Sequence, residues 1–172
     1  GHTPFDRIRD EPITLNIPGS GAWSPSNYSK TFAGEVSYTQ ALAQSLNIPA
    51  VKISEHIGRD IVQKIAWDFG LQDALADGPT LALGTSESTL IEMTGAYAHL
   101  PNSGNKVVPY GILAIHTVKG KELYKYEPPT QPEQLLSDSV VKQMNYMLSD
   151  VVAHGTGSKA RLAGHPAAGK TG

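Results

Sequence analysis

The 172-residue sequence predicts an α+β fold, rich in helix, with short strands toward its ends and one hairpin. Three observations carry this. Several segments repeat apolar residues at helical spacing behind a capping residue, as at Thr89 and Ser137. Residues 3–34 are instead rich in Pro, Gly, Ser and Asn, the composition of turns and short extended pieces. Residues 111–126 form two extended runs around Lys119-Gly120-Lys121, which marks a hairpin turn.

Within the first region, Pro12 to Ile17 alternates apolar and polar residues like a short strand. Ser37 can cap a helix over 37–46, where Ala41, Leu42 and Ala43 favour helix. Pro49 suits a first helical position, so a second helix runs from Pro49 to Ile57 and closes at Gly58. Asp60 caps a third, with Ile61, Val62, Ile65, Ala66 and Phe69 on one face and Gly70 at its end. Thr89 and Glu92 form a capping box for a fourth helix, whose apolar face holds Leu90, Met93, Ala96, Tyr97 and Leu100. Pro101 to Gly104 stops it. Ser137 caps the longest helix, with Val140, Val141, Met144, Met147, Leu148, Val151 and Val152 as its stripe and Gly155 as its end. A last strand begins near Ala167.

Composition excludes several classes of function. A net charge of -2 and a pI near 6.3 leave no basic surface for nucleic acid. Without cysteine there is neither a disulfide framework nor a Cys-based metal site. No apolar run approaches membrane-spanning length. The six histidines are scattered and form no metal pattern, so no metal is expected; no organic cofactor is expected either. Trp23 and Trp67 read as packing residues.

Two short motifs carry chemistry. Ser45-Leu46-Asn47 is a Ser-x-Asn, and Lys170-Thr171-Gly172 is a Lys-Thr-Gly; together they are two of the three motifs of enzymes that recognise penicillin. Taken alone, Ser45 and Asn47 also fit a polar helix C-terminus, where Asn tolerates the left-handed conformation. The third motif is a nucleophilic Ser-x-x-Lys, and its two matches here are poorly placed. Ser103 to Lys106 lies in a Gly/Asn loop, and Ser139 to Lys142 lies at an exposed helix start. An exposed lysine stays protonated and cannot accept a proton from serine. A rival pattern overlaps the second motif: Gly164 to Thr171 matches the phosphate-cradling G-x-x-x-x-G-K-[ST]. That loop needs a buried strand before it and a helix after it. Ser158 to Ala163 does not read as a buried strand.

A longer set of residues resembles a bacterial class A (1A-type) penicillin-binding protein. The resemblance runs through Gly21 to Tyr28, Gly34 to Val36, Ala41 to Val51, Leu83 to Glu87, Ala96 to Ala98, Asn102 to Gly104, Gly155 to Ala160 and Ala168 to Gly172. It implies that residues 1–172 are a partial transpeptidase domain of the penicillin-binding and serine β-lactamase-like fold, clipped at both ends. The nucleophile helix upstream and the last strands and helix downstream are expected outside it. The implied activity is that of a peptidoglycan D,D-transpeptidase with a serine acyl-enzyme, and the isolated chain is expected to be inactive. By resemblance, Ser45 relays a proton to the leaving group. Asn47 orients the substrate amide and the nucleophile's lysine. Lys170 and Thr171 hold the substrate carboxylate, Gly172 admits the substrate backbone, and Thr156 and Gly157 line the cleft. The implied partners are stem peptides ending in D-Ala-D-Ala and β-lactams. The parent protein is expected to be membrane-anchored, to carry a glycosyltransferase module and to act in the periplasm or on the outer face of the membrane. Two alternatives stand beside this reading: a nucleotide-binding domain built on Gly164 to Thr171, and a catalytically silent binding module of the same fold.

Overall fold

A computed structural model of the chain describes residues 1–72 and 74–172. At its centre α1 (Tyr38–Ala43) packs on one side against α5 (Asp138–Ala153) and meets α2 (Asn47–Ile57) on the other, while α2 packs in turn against a 3-10 turn, Pro79–Leu83. Ala41 and Ala43 of α1, Ile48 and Val51 of α2, and Leu148, Val151 and Val152 of α5 are all buried. Small residues on α1 let α5 approach closely, and the branched residues of α2 and α5 fill the space.

Strands lead the chain into this core. β1 (Arg7–Asp10) pairs antiparallel with β4 (Gly34–Ser37), in register from Arg7 opposite Ser37 to Asp10 opposite Gly34. Between them, β2 (Leu15–Ile17) and β3 (Gly21–Trp23) form a small hairpin. Only the last three residues of the expected Pro12 to Ile17 strand are paired. Ser37 ends β4 and caps α1 at once. Its Oγ accepts from Gln40 N at 3.1 Å, and Gln40 Oε1 accepts from Ser37 N at 2.9 Å.

α1 is shorter than the expected 37–46 because Ser45 leaves the helical region, with φ at +54°. α2 starts two residues before Pro49, which sits third in the helix, where a missing N–H still leaves no bond unmade. Gly58 ends α2 as expected and also precedes α3 (Arg59–Asp68), so Asp60 lies in the first turn rather than at the cap. The expected apolar face of α3 is only partly covered: Ile61 and Ile65 are half-exposed, while Phe69, just past its end, stacks on the buried His99 with ring centroids 4.9 Å apart. Trp67 is likewise half-exposed rather than packed.

Thr89 and Glu92 form the expected capping box of α4 (Leu90–Ala98). Ala96 and the following Leu100 are buried, while Leu90, Met93 and Tyr97 face outward. The hairpin of β5 (Ala114–His116) and β6 (Glu122–Lys125) turns where expected, with Gly120 in the left-handed region at φ +81°. Ser137 caps α5, and Val140 drops out of the buried stripe. His2 and His154 each meet a carboxylate one helical spacing away, Asp6 and Asp150, as separate exposed pairs.

The expected strand near Ala167 is absent. Residues 167–172 join no ladder, because no described strand lies beside them. They are held by α5, where Leu148 O accepts from Gly169 N at 3.2 Å. Among the described residues no helix is long and apolar enough to cross a membrane.

Candidate active site

The site forms where three separate segments meet: the α1–α2 turn, the loop after α5 and the C-terminal residues. The turn is a Schellman closure of α1. Ser45 N donates to Leu42 O at 3.1 Å and Leu46 N to Ala41 O at 2.9 Å. The residue at the left-handed position of such a turn is usually glycine. A serine there stores roughly 1 kcal/mol of backbone strain. The turn thereby carries a hydroxyl at a point where the usual residue has no side chain.

Gly155 joins the loop after α5 to the end of α1. A Cβ on Gly155 would run into the Ala43 carbonyl, so only glycine allows this approach. The next residue, Thr156, donates its N–H to Ala43 O at 3.0 Å. Its hydroxyl lies 2.6 Å from that of Thr171 and ties the C-terminal segment to the loop.

Lys170 completes the meeting. Its Nζ donates to Ser45 Oγ at 2.7 Å, across 125 residues of sequence. It also donates to Thr171 O at 2.8 Å and lies 3.4 Å from Thr171 Oγ1. An ammonium has three protons, and this one has three oxygens around it. Partial burial lowers its pKa below the ordinary lysine value.

Ser45, Asn47, Lys170, Thr171 and Gly172 all line one cavity of about 550 Å³. Its opposite wall is apolar, formed by residues such as Ala50, Ile53, Leu83, Met144 and Met147. Among the described residues, Lys170 is the only charged side chain lining it. A cavity with one cation, hydroxyls beside it and an apolar wall suits an anionic ligand with an uncharged body.

Not every expected site residue faces this space. Asn47 lines the cavity, but its Nδ2 is turned to Ser26 O at 2.9 Å. Thr156 acts from behind, through Thr171. Gly157 is buried behind the loop, with its N–H donated to Val151 O at 3.0 Å, and does not line the cavity. Met144 and Met147 read as core from their spacing but face the cavity; methionine adapts to irregular apolar walls, and the helical period alone does not separate the two uses.

The rival motifs fare differently. Ser139 is exposed and accepts from Gln143 Nε2 at 3.2 Å rather than meeting Lys142. Lys106 pairs with Glu133, away from Ser103. Before Gly164 lies a short 3-10 turn, Ser158–Ala160, where a phosphate loop requires a buried strand. The nucleotide-binding alternative is therefore set aside.

Known proteins resemble this chain over most of its length. Residues 4–172 match the family described as "Penicillin binding protein transpeptidase domain". Penicillin-binding protein 1B of Vibrio cholerae is 31% identical over 168 residues, covering 96% of this chain and 21% of that protein. Penicillin-binding protein 2D of Bacillus subtilis is 39% identical over 140 residues, covering 80% of this chain and 20% of that one. The crystal structure of penicillin-binding protein 1A from Haemophilus influenzae superposes with a TM-score of 0.79 at 25% identity, over 91% of this chain and 28% of that one. A D,D-transpeptidase domain from Eggerthella lenta shares the fold, with a TM-score of 0.79 at 22% identity over 99% of this chain and 48% of that one. The chain belongs to the penicillin-binding protein transpeptidase family. It spans about a fifth of the length of the Vibrio and Bacillus relatives.

Proposed function

We propose that this chain supplies most of the substrate-binding half of a peptidoglycan D,D-transpeptidase site, and that β-lactams bind there as substrate mimics. The observation that carries this is the 2.7 Å bond from Lys170 Nζ to Ser45 Oγ, which brings the Lys-Thr-Gly and Ser-x-Asn motifs together in one cavity. In this reading the terminal carboxylate of a D-Ala-D-Ala stem peptide takes a charge-assisted bond from Lys170 and a hydroxyl bond from Thr171. Gly172, without a side chain, leaves room for the peptide backbone. Asn47 Oδ1, for which no described residue supplies a donor, accepts from the substrate amide.

The reaction is acyl transfer in two steps. A serine Oγ attacks the carbonyl of the penultimate D-Ala, and its proton passes toward a basic lysine. The peptide C–N bond breaks, and Ser45 passes a proton to the departing amine of D-Ala. The amine of a neighbouring stem peptide then attacks the ester, displaces the serine oxygen and forms the cross-link. Both internal Ser-x-x-Lys matches lie on exposed surface, which supports a nucleophile contributed from outside these 172 residues. The short share of its relatives that this chain covers fits a parent with a further glycosyltransferase module and a membrane anchor, acting outside the cytoplasm. Release of D-Ala to water, as a carboxypeptidase, follows from the same ester when water replaces the amine.

Fluorescent penicillin tests the reading. The protein made from its complete natural reading frame should label covalently. Ser45→Ala and Lys170→Ala should each slow labelling on the order of a hundredfold, as expected when a proton relay or an anion anchor is lost. A folded full-length protein that never labels would favour the silent module. Labelling of the 172-residue chain itself would put the nucleophile inside it, with Ser139 the first suspect.

A further inference from the structure

The Ser45–Asn47 turn is held from beneath by a buried pair that no sequence motif announces. α2 opens at Leu46, which has no side-chain oxygen to cap it. Its first four backbone positions nevertheless leave nothing unmade. Leu46 N donates to Ala41 O at 2.9 Å, and Pro49 has no N–H. The remaining two, Asn47 N and Ile48 N, both donate to Asn27 Oδ1, at 2.9 and 3.4 Å. Asn27 thus serves as the N-cap of a helix that begins twenty residues later. The carbonyl of its neighbour Ser26 receives Asn47 Nδ2 at 2.9 Å, so the 26–27 segment grips both the backbone and the side chain of Asn47.

Asn27 is fixed in turn by Asp10. Its Nδ2 lies 2.9 and 2.8 Å from the two carboxylate oxygens of Asp10 and donates also to Thr31 O at 2.9 Å. Ala33 N donates to Asp10 Oδ2 at 2.7 Å. Asp10 is 1% exposed and Asn27 is 2% exposed. Burying a carboxylate is unfavourable unless donors surround it. A fold that needed only packing at this point would use an apolar residue.

We propose that Asp10 and Asn27 are positioning residues: they lock the start of α2 and thereby hold Ser45 in its strained, left-handed conformation facing Lys170. The proposal rests on the reading of Ser45 and Asn47 as active-site residues. Ser45 sits two residues before the clamped N–H of Asn47, in a conformation that a freed turn would relax. Relaxation would swing its hydroxyl away from the 2.7 Å contact with Lys170. Misplacement of about 1 Å can lower a rate a hundredfold without touching the reacting groups.

The test measures the penicillin acylation rate per folded molecule, together with the melting temperature, in the protein made from its complete reading frame. Asn27→Ala should slow acylation roughly tenfold to a hundredfold. Added to Ser45→Ala, it should slow acylation by less than it does alone, because the hydroxyl that it positions is already gone and only its hold on Asn47 remains to be lost. Asn27→Asp retains an acceptor for Asn47 and Ile48 but sets a second carboxylate against Asp10, and should also be slow. The swapped pair Asp10→Asn with Asn27→Asp restores a donor facing an acceptor, though not the bond to Thr31 O, and should recover part of the rate lost by Asn27→Asp alone. If Asn27→Ala does not fold, the comparison of Asn27→Asp with the swapped pair decides. A folded Asn27→Ala at wild-type rate, full additivity with Ser45→Ala, or no recovery in the swapped pair would overturn the proposal. Those outcomes count against the clamp alone when Ser45→Ala is slow; Ser45→Ala at wild-type rate would remove the site reading beneath it.

Discussion

Two groups at the cavity, Lys170 and Ser45, are held in unfavourable states that the proposed chemistry uses. Burial makes the charged form of Lys170 less stable than in water. The folded chain therefore releases this proton more readily than the unfolded chain does. Its contribution to stability rises as pH climbs through the interval between the lowered value and 10.5, while its ability to hold a carboxylate falls over the same interval. Penicillin acylation should accordingly show an alkaline limb below pH 10.5, and Lys170→Arg should move that limb upward because guanidinium keeps its proton. A limb unmoved in Lys170→Arg would assign it to another group. Ser45 stores backbone strain instead. Ser45→Gly should raise stability by about 0.5–1 kcal/mol in thermal unfolding while slowing acylation. Stabilisation without loss of rate would show that the hydroxyl is idle. At this scale the sequence was only partly legible. Ser45, Asn47 and Lys170 were nameable as motif members, but nothing in local spacing joins residues 125 apart. Asp10 and Asn27 were not legible at all, because a buried acid and a distant cap leave no periodic trace.

The secondary-structure elements were legible where their signals are local. Ser37, Thr89 and Ser137 cap the helices that they were expected to cap, since a side-chain oxygen and an amide three residues on suffice. Thr89→Ala should lower stability by about 1 kcal/mol in denaturant unfolding and leave penicillin acylation unchanged, because α4 lies away from the cavity. The β1–β4 ladder escaped prediction because its partners are far apart in sequence and its residues alternate weakly. The expected final strand failed for the same reason in reverse: an extended sequence needs a neighbour to become a strand. Gly155 is the element-level junction between α1 and α5. Gly155→Ala should destabilise by about 3 kcal/mol, since the added methyl meets backbone rather than a movable side chain. Its acylation rate should also fall, because Thr156 would carry Thr171 away from Lys170. A melting temperature within a degree of wild type would contradict that packing.

At the scale of the whole molecule, the helical core is coherent but the surface is not evenly polar. Leu90 is 85% exposed, Leu113 67% and Val118 fully so, and the faces of α3, α4 and the β5–β6 hairpin share this character. A net charge of -2 offers little mutual repulsion. The 172-residue chain by itself should therefore self-associate in sedimentation velocity and bind a hydrophobic dye. A monomer at all concentrations would show those faces to be harmless. The α+β class, the helix-rich core and the family were legible from sequence, whereas which apolar stripes face inward was not, since periodicity marks a face without naming what covers it. In the proposed function, Lys170, Thr171 and Ser45 form one recognition site for a D-Ala-D-Ala carboxylate or its β-lactam mimic. The most direct measurement is a crystal structure of the protein, made from its complete reading frame, acylated by a penicillin. The antibiotic's carboxylate should lie within hydrogen-bond distance of Thr171 Oγ1 and Lys170 Nζ, with Ser45 Oγ still bonded to Lys170 and the ester on a serine outside these 172 residues. An ester on Ser45 or Ser139, or a carboxylate bound away from Lys170, would contradict it.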